Sequence, residues 1–350
     1  MRKVSRKKTI AVWDLGATKC AVGIIEVDLF MERFKFITST SLYLNDFFSL
    51  DDLTQGLENN LGTRFSDIDK IMIAGAGIYD GYTLNLANGY PYPMEFAALA
   101  KSRKWSSMTV VHDYVPMMCA TFIADLLDPD QISFIHPGVL NPYGRRVVFG
   151  LGTGLGFKDG LLLERKKFWL GENEVGHIGI PFPPRAMPDE IQVHKEFIDF
   201  LRTQTDISPN QSITFEKVLS GQGTSRLHQF VTASKDHLLP HEVGDLLRAG
   251  LAEETLALLA WYLGLLIGSL QLIFMPSGGI WMTGGVLLKH EEIALHPQLK
   301  KGILASPAYI NERRSFPLAI IKDKNLVFLG GAYYLAYRAS LMGQSVPAFA

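Results

Sequence analysis

At 350 residues the chain is too long for one hydrophobic core, so two domains or lobes are expected. Its 47% hydrophobic and 20% charged composition excludes an intrinsically disordered chain. A formal net charge of -1 argues against nucleic acid as a main partner, and two cysteines, Cys20 and Cys119, are too few for a disulfide framework.

The N-terminus, MRKVSRKK, is basic and reads as a solvated tip. The apolar run Thr9–Trp13 is stopped at once by Asp14, too short for a signal-peptide core. With free thiols and eleven methionines, this makes a reducing, cytoplasmic setting the expectation. Lys8–Trp13 reads as a strand, Asp14–Lys19 as a polar turn bearing Gly16, and Cys20–Val27 as a second strand. Phe34–Tyr43 alternates as a third strand. Leu50–Asn60 reads as a helix with Ser49 or Asp51 near its N-cap. Ile68–Ala74 is a short apolar strand, Asn85–Pro93 a loop, Met94–Ser102 a helix, and Met108–Val111 a buried strand that ends in His112-Asp113. Val115–Leu127 reads as a helix and Pro129–Arg145 as a loop leading into the second lobe.

A second hairpin follows, with the turn GLGTGLG at Gly150–Gly156 between two apolar runs. Glycines in such a turn permit positive φ and let backbone N–H groups converge, which suits an anion such as phosphate. An ordinary hairpin whose glycines serve only the turn is the alternative. The two hairpins share a plan, and this suggests an internal duplication. Leu170–Pro184 is a loop with two acids and a histidine; Val193–Thr203, Ile213–Leu219 and Pro240–Arg248 read as helices. Leu256–Met275 is long and apolar enough to span a membrane, with Gly264 and Gly268 in a GxxxG. Ser269, Gln271 and the acids before it favour a buried core helix instead, so no membrane role is expected. Gly279–Thr283 is a strand running into Gly284-Gly285, Leu318–Ile321 a last strand, and Leu326–Met342 a last helix. An α/β protein with mixed sheets results, its natural site lying between the lobes.

There is no G-x-x-x-x-G-K-S/T, so this is not a P-loop protein, and the lack of a true G-x-G-x-x-G argues against a dinucleotide site. Protein-kinase elements are missing as well. What remains is two glycine hairpins able to grip a polyphosphate, plus Gly284-Gly285. Asp14 would repel a triphosphate unless a cation lay between, so it implies Mg²⁺, held directly or through water. Thr18 and Lys19 are candidates for phosphate oxygens. Asp113, at a strand end, is either a general base for a substrate hydroxyl or an N-cap for the following helix. Glu174 and His177, three residues apart in a rigid loop, can bracket a polyol; zinc is the weaker reading, because no cysteine or second histidine stands at ligand spacing.

Together these residues resemble the bacterial glucokinases of the hexokinase/actin-like ATPase superfamily. DLGATK at Asp14–Lys19 resembles the first phosphate motif, GLGTGLG the second, and MTGGV at Met282–Val286 the adenosine-side motif. HDY at His112–Tyr114, ENEVGH at Glu172–His177 and EKVLSGQG at Glu216–Gly223 resemble the base-bearing, sugar-binding and following segments. Six motifs in family order cover residues 10 to about 335. The resemblance implies a two-lobed, ribonuclease H-like fold with mixed sheets flanked by helices. Residues 1–122, completed by a C-terminal helix at 330–350, would form the small lobe, and residues 123–329 the large one.

It further implies ATP-dependent phosphorylation of glucose at its 6-hydroxyl, with Asp113 as base. Glu174, His177 and Glu216 become sugar ligands, and His112 and Asn88 border the sugar. Asp14, Gly16, Thr18, Lys19, Gly152, Thr153, Gly154, Gly284 and Gly285 line the nucleotide, and a homodimer is expected. Three departures stand out. His112 replaces the usual Asn, which opens an alternative hexose such as mannose or an N-acetylhexosamine. Ala17 replaces a second glycine, and the cysteine-rich zinc motif of related sugar kinases and repressors is absent. A non-catalytic sugar sensor is a weaker alternative, since only about eight residues precede the first strand.

Overall fold

The computed structural model describes residues 7–16, 18–87, 90–123, 129–164, 166–181, 188–208 and 210–338. In chain order the strands are β1 (Lys7–Leu15), β2 (Lys19–Asp28), β3 (Arg33–Tyr43), β4 (Lys70–Gly75), β5 (Gly77–Tyr79), β6 (Leu84–Leu86) and β7 (Met108–His112). They continue as β8 (Ile132–His136), β9 (Arg146–Leu151), β10 (Leu155–Glu164), β11 (Lys167–Leu170), β12 (Ile280–Thr283) and β13 (Leu318–Ile321). The helices are α1 (Leu50–Leu61), α2 (Phe96–Ser102), α3 (Tyr114–Phe122), α4 (Pro188–Arg202), α5 (Phe215–Val218) and α6 (Gly221–Thr232). After them come α7 (Pro240–Arg248), α8 (Glu253–Phe274), α9 (Glu292–Leu295), α10 (Pro297–Leu304), α11 (Ile310–Arg313) and α12 (Leu326–Tyr337).

The chain divides into two compact units. One takes the described residues of 1–127, 162–170 and 323–350, the other those of 128–161 and 171–322. The first unit is built on a five-stranded sheet in the order β3-β2-β1-β4-β7. The β1–β2–β3 meander is antiparallel, while β4 and β7 run parallel to β1. Alternation along β1 sends Ala11, Trp13 and Leu15 to a core shared with α1 and α2. Trp13 packs there on Phe65, Phe96 and Trp105 with ring centroids 5.0, 5.8 and 5.9 Å away. Helix α1 starts where the sequence placed it, with Ser49 Oγ accepting from Asp52 N at 3.0 Å. Helices α3 and α12 pack closely: a Cβ on Gly330 would lie 1.9 Å from Pro116 O, so only glycine lets α12 seat against the start of α3.

The second sheet has the order β11-β10-β9-β12-β13-β8. Again an antiparallel hairpin, β9–β10, is followed by strands parallel to its first member, β12 and then β13. The shared order bears out the duplicated plan inferred from the two glycine hairpins. Helix α8 is the long apolar segment, and Leu259, Leu263, Leu266 and Leu270 lie in the core of the second unit. Its glycines serve a helix contact, since a Cβ on Gly264 would lie 2.0 Å from Leu299 O and one on Gly268 2.7 Å from Ile303 O, both in α10.

Three expectations need correction. The loop read over Asn85–Pro93 begins inside β6, where Asn85 and Leu86 pair antiparallel with β5. Pro129–Arg145 is not simply a loop: Ile132–His136 forms β8, antiparallel to β13 at the sheet edge, with a register shift at Leu318/Ala319. The helix read over Ile213–Leu219 is one turn, Phe215–Val218, and a longer unread helix, α6, follows it. The last helix runs to Tyr337, and its expected extension beyond residue 338 lies outside the described residues.

Candidate active site

In the first unit the parallel strands β1, β4 and β7 end in register. Asp14 stands opposite Ala74, Leu15 opposite Gly75, and Gly75 opposite His112. The carboxyl ends of parallel strands are where open α/β sheets bind ligands. Asp113 follows β7 and precedes α3. Its backbone is already helical (φ -57°, ψ -32°) and its side chain makes no capping hydrogen bond. Of the two sequence readings of this carboxylate, capping is therefore not what it does. Its Oδ1 is buried without a hydrogen-bond partner, although His112 Nδ1 lies 3.0 Å away. His112 Nδ1 also lies 3.4 Å from Tyr114 N.

Asp14 faces the same acid. Burial, and then the Asp113 charge, push its carboxyl up to about 7. Burial, then Asp113 and Asp14, push the Tyr114 phenol up. Burial and Asp14 do the same to the Cys20 thiol, which stands opposite Leu15 in the β1–β2 register. The end of this sheet thus carries two carboxyl groups, with the Asp14 group biased by burial and by its neighbour toward its protonated form.

The adjoining turn is closed by Gly16 N donating to Lys19 O at 3.0 Å, and Leu44 N donates to Thr18 O at 2.9 Å. Thr18 and Lys19 are exposed, and the Lys19 ammonium sits 4.3 Å over the Tyr43 ring centre. Ala17 and Asn88 lie outside the described residues.

In the second unit the predicted residues form one network. Gly152 N donates to Gly154 O at 2.9 Å, which closes the glycine turn with Thr153 exposed at its tip. Glu216 Oε2 accepts from Leu155 N at 3.0 Å. A Cβ on Gly154 would lie 2.7 Å from that oxygen, so glycine is needed for the carboxylate to approach. The other oxygen, Oε1, is 4.0 Å from His177 Nδ1, and both side chains keep solvent exposure. Helix α6 docks on the same turn: Gly221 N donates to Gly152 O at 2.8 Å, and Ser220 Oγ caps the helix by accepting from Gly223 N. Arg226, buried in α6, holds α5 and so Glu216, donating to Asp206 Oδ2 at 2.5 Å and to Lys217 O at 3.2 Å.

From the β12 side Val286 N donates to Leu151 O at 2.9 Å. Gly284, with φ +98°, lies against the Leu151 backbone, and Gly285 is exposed beside it. Glu174 and His177 bracket a single 3-10 turn, with His177 N donating to Glu174 O at 3.1 Å. Both are exposed.

Several residues of these networks escaped the sequence reading. Ser220 and Tyr114 stand inside motifs that were recognised and Arg226 lies three residues past one, but their contacts are tertiary. Asp159 carried a signal: a Lys158-Asp159 pair within an otherwise apolar strand. It is fully buried, and it binds Arg145 and Asn173. Among the described residues no cluster of three or more acidic, histidine or cysteine side chains is placed to hold a metal ion.

Two sheets of shared order, each opening on a glycine hairpin, define the hexokinase/actin-like ATPase fold. The family described as Glucokinase matches residues 12–338, and the chain belongs to that family. A glucokinase from Chelativorans sp. (strain BNC1) is 28% identical over 335 residues, covering 93% of this chain and 90% of its own. The crystal structure of a glucokinase from an Antarctic psychrotroph superposes with a TM-score of 0.74 at 21% identity, over 94% of this chain and 98% of that one. A ROK-family glucokinase from Streptomyces griseus, solved in complex with glucose and AMPPNP, gives a TM-score of 0.60 at 16% identity, covering 95% and 99%.

Proposed function

We propose that this chain transfers the γ-phosphoryl group of ATP to the 6-hydroxyl of glucose, with Asp113 as general base. The observation that carries the assignment is the Asp113 carboxylate itself. It stands at the end of a parallel strand, caps nothing, and keeps a buried Oδ1 without a hydrogen-bond partner. A carboxylate left unsatisfied in this way is held for a ligand proton. In the step, Asp113 takes the proton of the 6-hydroxyl as that oxygen bonds to the γ-phosphorus. The bond from phosphorus to the β–γ bridging oxygen breaks, and ADP leaves. The relatives named glucokinase, and the Streptomyces griseus enzyme solved with glucose and an ATP analogue, support this choice of substrates.

The glycine turn, the α6 N-terminus and Gly284-Gly285 meet at Leu151 and Gly152, and this cluster suits the nucleotide. Glu174, His177 and the Glu216 oxygen left facing His177 suit sugar hydroxyls, with Glu216 tying that side to the turn through Leu155. Asp14 is a hard oxygen donor that cannot cage a metal by itself. It fits a Mg²⁺ that arrives on the phosphates and is held by this carboxylate directly or through water. When bound, that ion would supply charge neutralisation at the phosphates.

Asp14 gives the site a pH dependence whose sign can be worked out. The native state keeps the Asp14 proton up to about pH 7, whereas the unfolded chain releases it near the ordinary carboxyl value of 3.8. Its stabilising contribution is therefore largest at low pH and is lost as pH rises to about 7. Binding of Mg²⁺·ATP needs the ionised form. The KM for the nucleotide should then rise about tenfold per pH unit below about 7 and stay flat above it. Calorimetry in buffers of different ionisation enthalpy should show on the order of half a proton released per nucleotide at neutral pH. No proton release would remove Asp14 from this role. On the sugar side, Glu174→Gln should raise the KM for glucose about tenfold or more with little change in the KM for ATP, in steady-state assays. An unchanged glucose KM would count against Glu174 as a ligand.

His112 favours a second reading of the substrate. Its ring is partly exposed beside Asp113. An imidazole there in place of an amide could suit mannose or an N-acetylhexosamine instead. A sugar panel with coupled ADP detection separates the readings: glucose should be the best substrate, and a clear preference for another hexose would replace it.

A further inference from the structure

Asp159 lies on β10 and is fully buried, in a strand that also buries Phe157. A carboxylate in such a place must be paired. Arg145 pairs it, placing Nε 2.7 Å and Nη2 2.6 Å from Oδ2, with its guanidinium centre 4.8 Å from the Phe274 ring centroid. That pair neutralises the charge and leaves Oδ1 over. Asn173 Nδ2 donates to Oδ1 at 2.5 Å, and the Asp159 carbonyl accepts from Gly171 N at 2.9 Å. A Cβ on Gly171 would lie 2.0 Å from Oδ1, so the loop comes as close to the carboxylate as a glycine backbone allows. The other amide atom, Asn173 Oδ1, is buried without a hydrogen-bond partner.

A purely structural tether would not leave a buried acceptor unpaired beside a charge that Arg145 already satisfies. What the contact does gain is position. Asn173 directly precedes Glu174 and stands four residues before His177. Asp159 is on the strand that leaves the glycine turn. We propose that Asp159 and Asn173 are positioning residues, their hydrogen bond fixing the Glu174–His177 segment against β10 so that its side chains meet the hexose in one geometry. This rests on the assignment of Glu174 and His177 to the sugar.

The test is Asn173→Leu. It keeps the side-chain volume, leaves the Arg145–Asp159 pair whole, and removes the unpaired acceptor. The hexose KM should rise about tenfold with the KM for ATP unchanged, while the melting temperature falls by a few degrees because Asp159 Oδ1 loses its donor. Asn173→Ser, which restores a donor, should recover part of the loss. In an Asp159→Asn background, Asn173→Leu should add no further rise in hexose KM. If Asp159→Asn does not fold, the Leu and Ser pair still decides. An unchanged hexose KM in Asn173→Leu, or an equal rise in both KM values, overturns the positioning role. A wild-type enzyme that makes ADP with no hexose dependence would overturn the sugar assignment beneath it, and this proposal with it.

Discussion

Asp113→Asn is expected to lower kcat by about 10²–10⁴-fold while leaving the KM for hexose within a few-fold of wild type. The substitution is nearly isosteric. It keeps an oxygen beside His112 and disturbs no cap, because Asp113 makes no capping hydrogen bond. On the proposed mechanism, what it removes is the ability to accept a proton as the substrate oxygen attacks. A second consequence separates this from general damage. Asp14 is held up to about 7 in part by the Asp113 charge, so removing that charge should lower the Asp14 pKa. The acid limb of the nucleotide KM should then move to lower pH in the variant. Turnover close to wild type would take the base role away from Asp113.

Gly284→Ala is expected to lower the melting temperature by on the order of 10 °C and to weaken nucleotide binding. Gly284 has φ +98°, which strains a residue with a Cβ by about 1–3 kcal/mol. The added methyl would also lie 2.4 Å from Leu151 O and 2.5 Å from Leu151 N, and a backbone paired in a sheet cannot step aside. Overpacking of that kind adds about 1–3 kcal/mol. For a domain of this size each kcal/mol moves the midpoint by roughly 2–4 °C. Gly285→Ala is the control, since nothing lies within 4 Å of its Cβ position. Thermal melts of the two variants should differ sharply, and equal melts would mean that the turn relaxes around Gly284.

Local signals carried much of the fold. Apolar runs broken by glycine turns marked β1–β2 and β9–β10, and Ser49 marked the start of α1. Long-range pairing is what the sequence hid. β8 is five residues long beside Pro137, and it becomes a strand only by pairing with β13 far downstream. Helix α6 opens on Gly221-Gln222-Gly223, a poor helix start by propensity. It forms because Ser220 caps it, Gly221 docks on Gly152, and Leu227 is buried in the core.

The candidate site divides in the same way. Asp14, Asp113, Glu174, His177 and the glycines were readable as residue types in motifs. The commitment of Glu216 Oε2 to Leu155 N was not, because it depends on where α5 packs. Neither was the Arg145–Asp159–Asn173 set, which exists only once the β10 register turns Asp159 inward. Charged side chains inside an apolar strand were the one trace it left.

The most direct test of the central claim is the identity of the product. Purified protein incubated with Mg²⁺, ATP and glucose should be followed by ³¹P NMR. Glucose 6-phosphate should appear in step with ADP, one for one, and Asp113→Asn should abolish both at the same protein concentration. ADP and inorganic phosphate formed without a phosphosugar, or a phosphosugar formed unchanged by Asp113→Asn, would contradict it.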